Sequence, residues 1–260
     1  LGVKKEEDIS CPNFFKLGDK WVLTCISHRL GCRYFIGEFK DEQYLPEYHA
    51  VIGGNSRRYF APESLVTPDG RRVNWSWFIN GNNKDNRGTQ SLPTEMRLNA
   101  NGQMRFRPIK ELEALRYSKK DKNMIKIKEH SSLLIDEIKG DHCEIEVVVT
   151  NTGNSSFGID VLCNDEGKDG LRIKVNRDKD LLEVGDQNGD FTLHQDEPLS
   201  LRIFVDAGLI EVFANEKQVV MADKKRVAGS KIEDRFVLFS SGSALVIDRL
   251  TFWKIKSAYN

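Results

Sequence analysis

Apolar residues recur at every second position over short runs, and almost nowhere at the three-to-four spacing of an amphipathic helix. Residues 21–26, 33–39, 58–61 and 72–78 carry this alternation and predict strands. Clusters of Gly, Asn, Asp and Pro at 53–55, 67–70 and 80–88 separate them, as in antiparallel sheet. Pro68-Asp69-Gly70 predicts a turn by mechanism: Pro presets φ at one turn position and Gly accepts a positive φ. The pattern breaks at 109–116, where Glu111, Leu112, Glu113, Ala114 and Leu115 favour a short helix or turn. The stretch after it, to Asn123, is charged and poor in apolar residues. A domain boundary is therefore expected there, with a first part over 1–108, a linker over 109–123 and a second part over 124–260.

The second part returns to strands at 143–150, 157–163, 171–175, 181–184, 201–206, 209–213, 236–239 and 244–255. Ala207-Gly208 between two of these predicts a hairpin whose Gly takes the left-handed position. Short strands every 8–12 residues or so, with turn signals between them, indicate a two-sheet sandwich. The expected class is all-β, in two parts of different architecture.

Composition removes several functions. The 260 residues include thirty-nine basic and thirty-nine acidic side chains. This balance, with no basic stripe, leaves no electrostatic footprint for nucleic acid. No apolar run approaches the ~20 residues of a membrane-spanning helix, and no Lys/Arg-led apolar segment at the start reads as a signal peptide. Leu1 in place of Met suggests a processed, truncated or excerpted product. The five cysteines (Cys11, Cys25, Cys32, Cys143 and Cys163) are odd in number and lack CxxC spacing, so free buried thiols are expected. Asn74-Trp75-Ser76 and Asn154-Ser155-Ser156 match the glycosylation acceptor pattern, which leaves the compartment open.

Little in the residues alone points to chemistry. His28, His49, His130, His142 and His194 are scattered without metal-ligand spacing, so no metal site is expected. No phosphate loop or dinucleotide fingerprint appears, and no cofactor is expected. Ser10 lacks the Gly-x-Ser-x-Gly elbow of a nucleophile. Trp75 and Trp77, two apart, face one side of a strand, where packing between sheets outweighs a sugar platform as the expected role. A cross-strand ion pair of Arg202 with Glu211 is expected in the second part's hairpin.

Ser10-Cys11-Pro12-Asn13-Phe14-Phe15 resembles the Glu-Cys-Pro strand of glycoside hydrolase family 32, the invertases, levanases and inulinases. Tyr34-Phe35-Ile36-Gly37-Glu38-Phe39 resembles the strand after it. Tyr59-Phe60-Ala61-Pro62-Glu63-Ser64 is similar to the family's Tyr-Ala-Pro-Gln-Ser, and Gly70-Arg71-Arg72 with Trp75 and Trp77 to its next blade strand. Ser91-Leu92-Pro93-Thr94-Glu95 resembles Ser-Leu-Pro-Arg-Glu, and 108–116 the family's linker. In the second part, Arg202 to Asp206 through Glu211-Val212-Phe213 resembles the hairpin of its C-terminal sandwich, and 253–258 its final strand.

The resemblance implies a partial five-bladed β-propeller, about its last two blades, followed by a β-sandwich. It also implies hydrolysis of β-fructosidic bonds in sucrose or fructans with retention, which needs two carboxylates roughly 5 Å apart. The family's acid/base Glu is replaced by Ser10, and no Asp-Pro dipeptide or Trp-x-Asn-Asp-Pro-Asn-Gly segment occurs. A hydroxyl is too weak an acid to protonate a leaving glycosidic oxygen near neutral pH. This chain is therefore expected to be inactive alone, the alternative being a non-catalytic carbohydrate-binding or structural protein. Glu6 and Glu7 could replace the missing Glu only through a register slip, so a solvated charged terminus is the expectation for them. By the resemblance, Glu63 and Trp77 are the candidate sugar contacts. Open propeller edges imply a second chain or self-association, and the family's habit favours a secreted or periplasmic location.

Overall fold

The computed structural model describes residues 1–55, 57–79, 88–224 and 233–258. The turn cluster expected at 80–88 thus lies outside the described residues except for Gly88. Strands β1 (Ser10–Leu17), β2 (Lys20–Ser27), β3 (Gly31–Lys40) and β4 (Gln43–Val51) form one antiparallel sheet in chain order. A second sheet orders β5 (Tyr59–Val66), β6 (Arg72–Ile79), β8 (Thr94–Leu98) and β9 (Met104–Pro108), with β7 (Gly88–Gln90) also pairing β6. These are the two propeller blades expected. Alternation works here as it does in half-buried sheet: Asn74, Ser76 and Phe78 are buried while Trp75 and Trp77 face outward. The turn at Pro68–Gly70 forms, with Gly70 at φ 83° and its N–H donating to the Thr67 carbonyl at 2.9 Å. Asn74, only 2% exposed, is no glycan acceptor in this fold, whereas Asn154 is exposed.

A 3-10 turn over Lys110–Leu115 follows, as the helix formers there predict. The expected linker is corrected beyond it: Arg116–Ile127 is β10, which pairs with β21 (Leu245–Ile255) along most of its length. The charge and scarcity of apolar residues over its first part, 116–123, accord with its place at the sheet edge. Lysines on an edge strand deter pairing with other chains, and an edge strand of this kind reads as linker in sequence.

The remaining strands are β11 (Ser132–Leu134), β12 (His142–Val149), β13 (Phe157–Cys163), β14 (Leu171–Asn176), β15 (Leu181–Val184) and β16 (Gln187–Asp190). After them come β17 (Leu199–Asp206), β18 (Leu209–Ala214), β19 (Gln218–Asp223) and β20 (Arg235–Ser240). They build two six-stranded sheets, ordered β10-β21-β12-β17-β18-β19 and β11-β20-β13-β14-β15-β16. Ile145, Ile159, Ile173, Ile203, Val212, Phe236 and Phe252 fill the space between them. Burial of each such side chain contributes about 1.5–3 kcal/mol. The hairpin is a two-residue loop with Ala207 at φ 49° and Gly208 at φ 117°, so both central residues take positive φ. Strand β19 escaped the alternation pattern because all its apolar residues are buried, leaving a continuous run.

A second core joins the two parts. Tyr34, Tyr59, Phe78, Met96 and Phe106 pack with Phe204, Phe213, Val219 and Met221 from the sandwich. Gly53 and Gly54, at φ 78° and 95°, thread this junction. A Cβ on Gly53 would lie 2.1 Å from the Tyr59 ring, and one on Gly54 would lie 2.8 Å from the Asn188 carbonyl oxygen. Four cysteines are buried as expected; Cys11 is the exposed exception.

Candidate active site and domain junction

Ser10 begins β1 opposite Ile26, half-buried, and a bulge separates it from Asn13. Cys11, inside the bulge, takes φ 47°. The irregularity detaches the start of the motif from the ladder and aims it at the segment before β1. There Ser10 Oγ donates to Asp8 Oδ2 at 3.2 Å. Asp8 also accepts the His28 backbone N–H at 3.1 Å, and His28 Nδ1 lies 2.9 Å from its other oxygen. The hydrogen bond from His28 holds the Asp8 carboxyl below its usual range. Glu7 accepts the Ser27 hydroxyl and the Arg29 Nε at 2.7 Å, and the Ser27 bond is the main reason its carboxyl is held low. The expectation of a solvated terminus is corrected for Glu7: its side chain is 4% exposed and ion-paired with Arg29. Both acids beside Ser10 are thus ionised acceptors, unsuited to giving up a proton near neutrality.

Further along β1, Asn13 Oδ1 accepts the Ser64 hydroxyl, Arg72 Nη1 donates to Ser64 Oγ at 3.1 Å, and the Arg72 guanidinium lies 4.0 Å over Phe15. This contact seats the motif strand on the inner face of β5–β6. Glu63 and Trp77 lie on the opposite, outer face. Glu63 pairs directly across from Trp75, and Trp77 is the diagonal neighbour on the same face. The expectation that both tryptophans pack between sheets is corrected: Trp77 is 42% exposed, and its indole covers Gly88, where a Cβ would lie 1.2 Å from Nε1. The structure therefore brings Glu63 and Trp77 together but leaves them on the far side of the sheet from the Asn13–Ser64 contact.

The junction holds the residues that sequence reasoning misread. Arg202 does not pair with Glu211. Its Nε donates to Glu144 Oε1 at 2.9 Å, and Arg116 grips the same carboxylate with Nε and Nη2, each at 2.7 Å, while stacking 4.2 Å from Trp253. Glu144 is wholly buried. Glu211 turns to the other part of the chain, where its Oε2 accepts the Leu92 N–H at 2.9 Å. Its Oε1 has no partner among the described residues, and burial pushes the carboxyl up to about 8. The Ser91–Glu95 motif is thus a docking element: Ser91 Oγ accepts the Ser76 N–H at 3.0 Å, and Glu95 pairs with Arg107 at 2.8 Å. One signal was available in the sequence: acids set inside the apolar runs, Glu144 and Glu146 in 143–149 and Glu211 in 209–214.

Residues 111–254, more than half of the chain, match the family model described as glycosyl hydrolases family 32 C terminal. The chain belongs to glycosyl hydrolase family 32. Among curated relatives, family 32 likeness extends through the first part as well. Sucrose-6-phosphate hydrolase of Escherichia coli is 22% identical over 271 residues, covering 94% of this chain and 55% of that protein. Levanase of Bacillus subtilis is 24% identical over 300 residues, covering 96% of this chain and 43% of the relative. Fructan 1-exohydrolase IIa from Cichorium intybus has the same fold over 96% of this chain and 62% of its own, with a TM-score of 0.79 at 19% identity. This family 32 chain therefore spans about half the length of the curated relatives it matches.

Proposed function

We propose that the chain is the propeller-end and sandwich portion of a β-fructosidase-like glycoside hydrolase, and that it releases no fructose by itself. In this reading 1–108 belongs to the propeller and the sandwich carries the rest beyond the short turn. The observation that carries the reading is the chemistry around Ser10. The position that resembles the acid/base site holds a hydroxyl bonded to Asp8, and the carboxylates beside it are held ionised. The nucleophile would come from blades supplied by another chain or by a longer form of the protein. Incubation with sucrose, inulin and levan is expected to yield no fructose, and Ser10→Glu is expected to leave that result unchanged. Fructose release by either form would sink the proposal.

The alternative is a non-catalytic carbohydrate-binding protein, supported by Glu63 and Trp77 sharing an exposed face. Inulin binding that Trp77→Ala weakens, with no turnover, would favour it.

The outer side of the first sheet supports a covering partner. Phe14, Trp21, Phe39 and Tyr44 cluster there with contacting centroids 4.9–5.8 Å apart, Phe14 stacked on Trp21 and the others edge-on or tilted, and Phe14 and Phe39 remain 41% and 45% exposed. Such a patch marks an interaction surface. Sedimentation velocity is expected to show self-association; a stable, monodisperse monomer would count against a covering partner.

A further inference from the structure

Arg33 on β3 is the largest fully buried side chain among the described residues. Its Nη2 donates to the Asp8 carbonyl at 2.5 Å, while Nε and Nη1 have no partner among those residues. A buried guanidinium loses hydration that one carbonyl does not replace, and it calls for a counter-charge. We infer that Arg33 and His49 hold a small inorganic anion, of the size of chloride, beneath the segment that leads to Ser10.

The neighbouring groups do not supply the counter-charge. Glu7 is near enough for Arg33 to lower its carboxyl, though as the weakest of several causes. Its Oε1 already accepts the Ser27 hydroxyl, and its Oε2 the Arg29 Nε at 2.7 Å. Both Asp8 oxygens lie against His28, at 3.1 Å from its backbone nitrogen and 2.9 Å from Nδ1. Cys25 pairs across from Arg33, but burial pushes its thiol up to about 11, so it carries no charge near neutrality.

Strand register brings a second donor to the same place. Phe35 is two residues from Arg33 on the same face, and His49 on β4 pairs directly across from Phe35. The Arg33 guanidinium carbon lies 5.2 Å from the Phe35 ring centroid, and the His49 ring centroid lies 4.7 Å from it. His49 Nε2 is buried and also lacks a partner among the described residues. Burial, and then Arg33, holds this imidazole down to about 4, so it is neutral and can present one N–H. Arg33 and Cys25 are wholly buried and Phe35 nearly so, which shuts out a bulky oxyanion or a partner's side chain. A monatomic anion needs little room and no set orientation, and it brings the charge that a water would not.

This site does not rest on the proposed activity. Crystals of the full chain grown in sodium bromide should show an anomalous peak within hydrogen-bond reach of the Arg33 guanidinium. Urea unfolding at constant ionic strength, with chloride exchanged for gluconate, gives the second readout. The unfolding constant should fall about tenfold once chloride exceeds its Kd tenfold. Arg33→Met should remove both the peak and the chloride response. His49→Phe, which can still pack on Phe35, should weaken the response, and it decides the matter with the peak should Arg33→Met fail to fold. A peak without a chloride response would mean an adventitious ion only and would overturn the inference. So would a water at this place in bromide-grown crystals, or an equal chloride response in Arg33→Met.

Discussion

Glu144→Ala is expected to destabilise the chain by about 3–5 kcal/mol, the range for removing one partner of a buried ion pair. The carboxylate is wholly buried and binds two guanidiniums, from Arg116 at the start of β10 and Arg202 on β17. Its loss leaves Arg202 without this acceptor in a half-buried site. Arg116 keeps a 3.5 Å contact with the exposed Glu113 and its place over the Trp253 ring. Because Arg116 is the first residue after the Lys110–Leu115 turn, the change should also loosen the joint between the two parts. Urea unfolding is the measurement, with the slope compared between forms. A loss below ~1 kcal/mol would mean that the triad stabilises no more than an exposed pair.

Raising the pH is expected to weaken the fold through Glu211. Its carboxyl is pushed from an ordinary 4.5 up to about 8, first by burial, with the Leu92 N–H pulling the other way. The folded chain therefore keeps a proton that the unfolded chain releases. The contribution is fully present below about 4.5, declines as pH rises, and is gone above about 8. The full swing is on the order of 5 kcal/mol. Glu211→Gln keeps an oxygen for Leu92 and cannot ionise, so it should flatten the stability profile between those limits. A profile that keeps its slope in Glu211→Gln would assign the effect to another group.

These two acids show how far the sequence can be read. The strands were legible wherever one face is buried and the other wet, because the pleat then writes itself as alternation. Strand β6 is such a case. Strand β4, half-buried to exposed along its length, and strand β19, with every apolar residue buried, write no alternation and were not legible. The β10 edge carries lysines for solvent reasons and reads as linker.

The candidate site divides in the same way. Ser10 ahead of Cys11-Pro12, and the absence of any Asp-Pro, are facts of composition and need no coordinates. Which face Glu63 and Trp77 share follows from the register of β5 on β6, and that register contains a bulge that local sequence does not announce. The partners of Arg202 and Glu211 depend on strands that are distant in the chain. Residue 202 meets residue 144, and residue 211 meets residue 92, only after two sheets have docked.

By itself, then, the sequence determined the all-β class and the family, since local pattern and residue identity suffice for each. The tertiary structure alone decided that hydrogen bonds hold Asp8 and Glu7 below the usual carboxyl range and that Glu144 binds two arginines. It alone also decided that Glu211 is buried with one oxygen unpartnered among the described residues. Burial and long-range pairing set these properties, and neither is written in neighbouring residues.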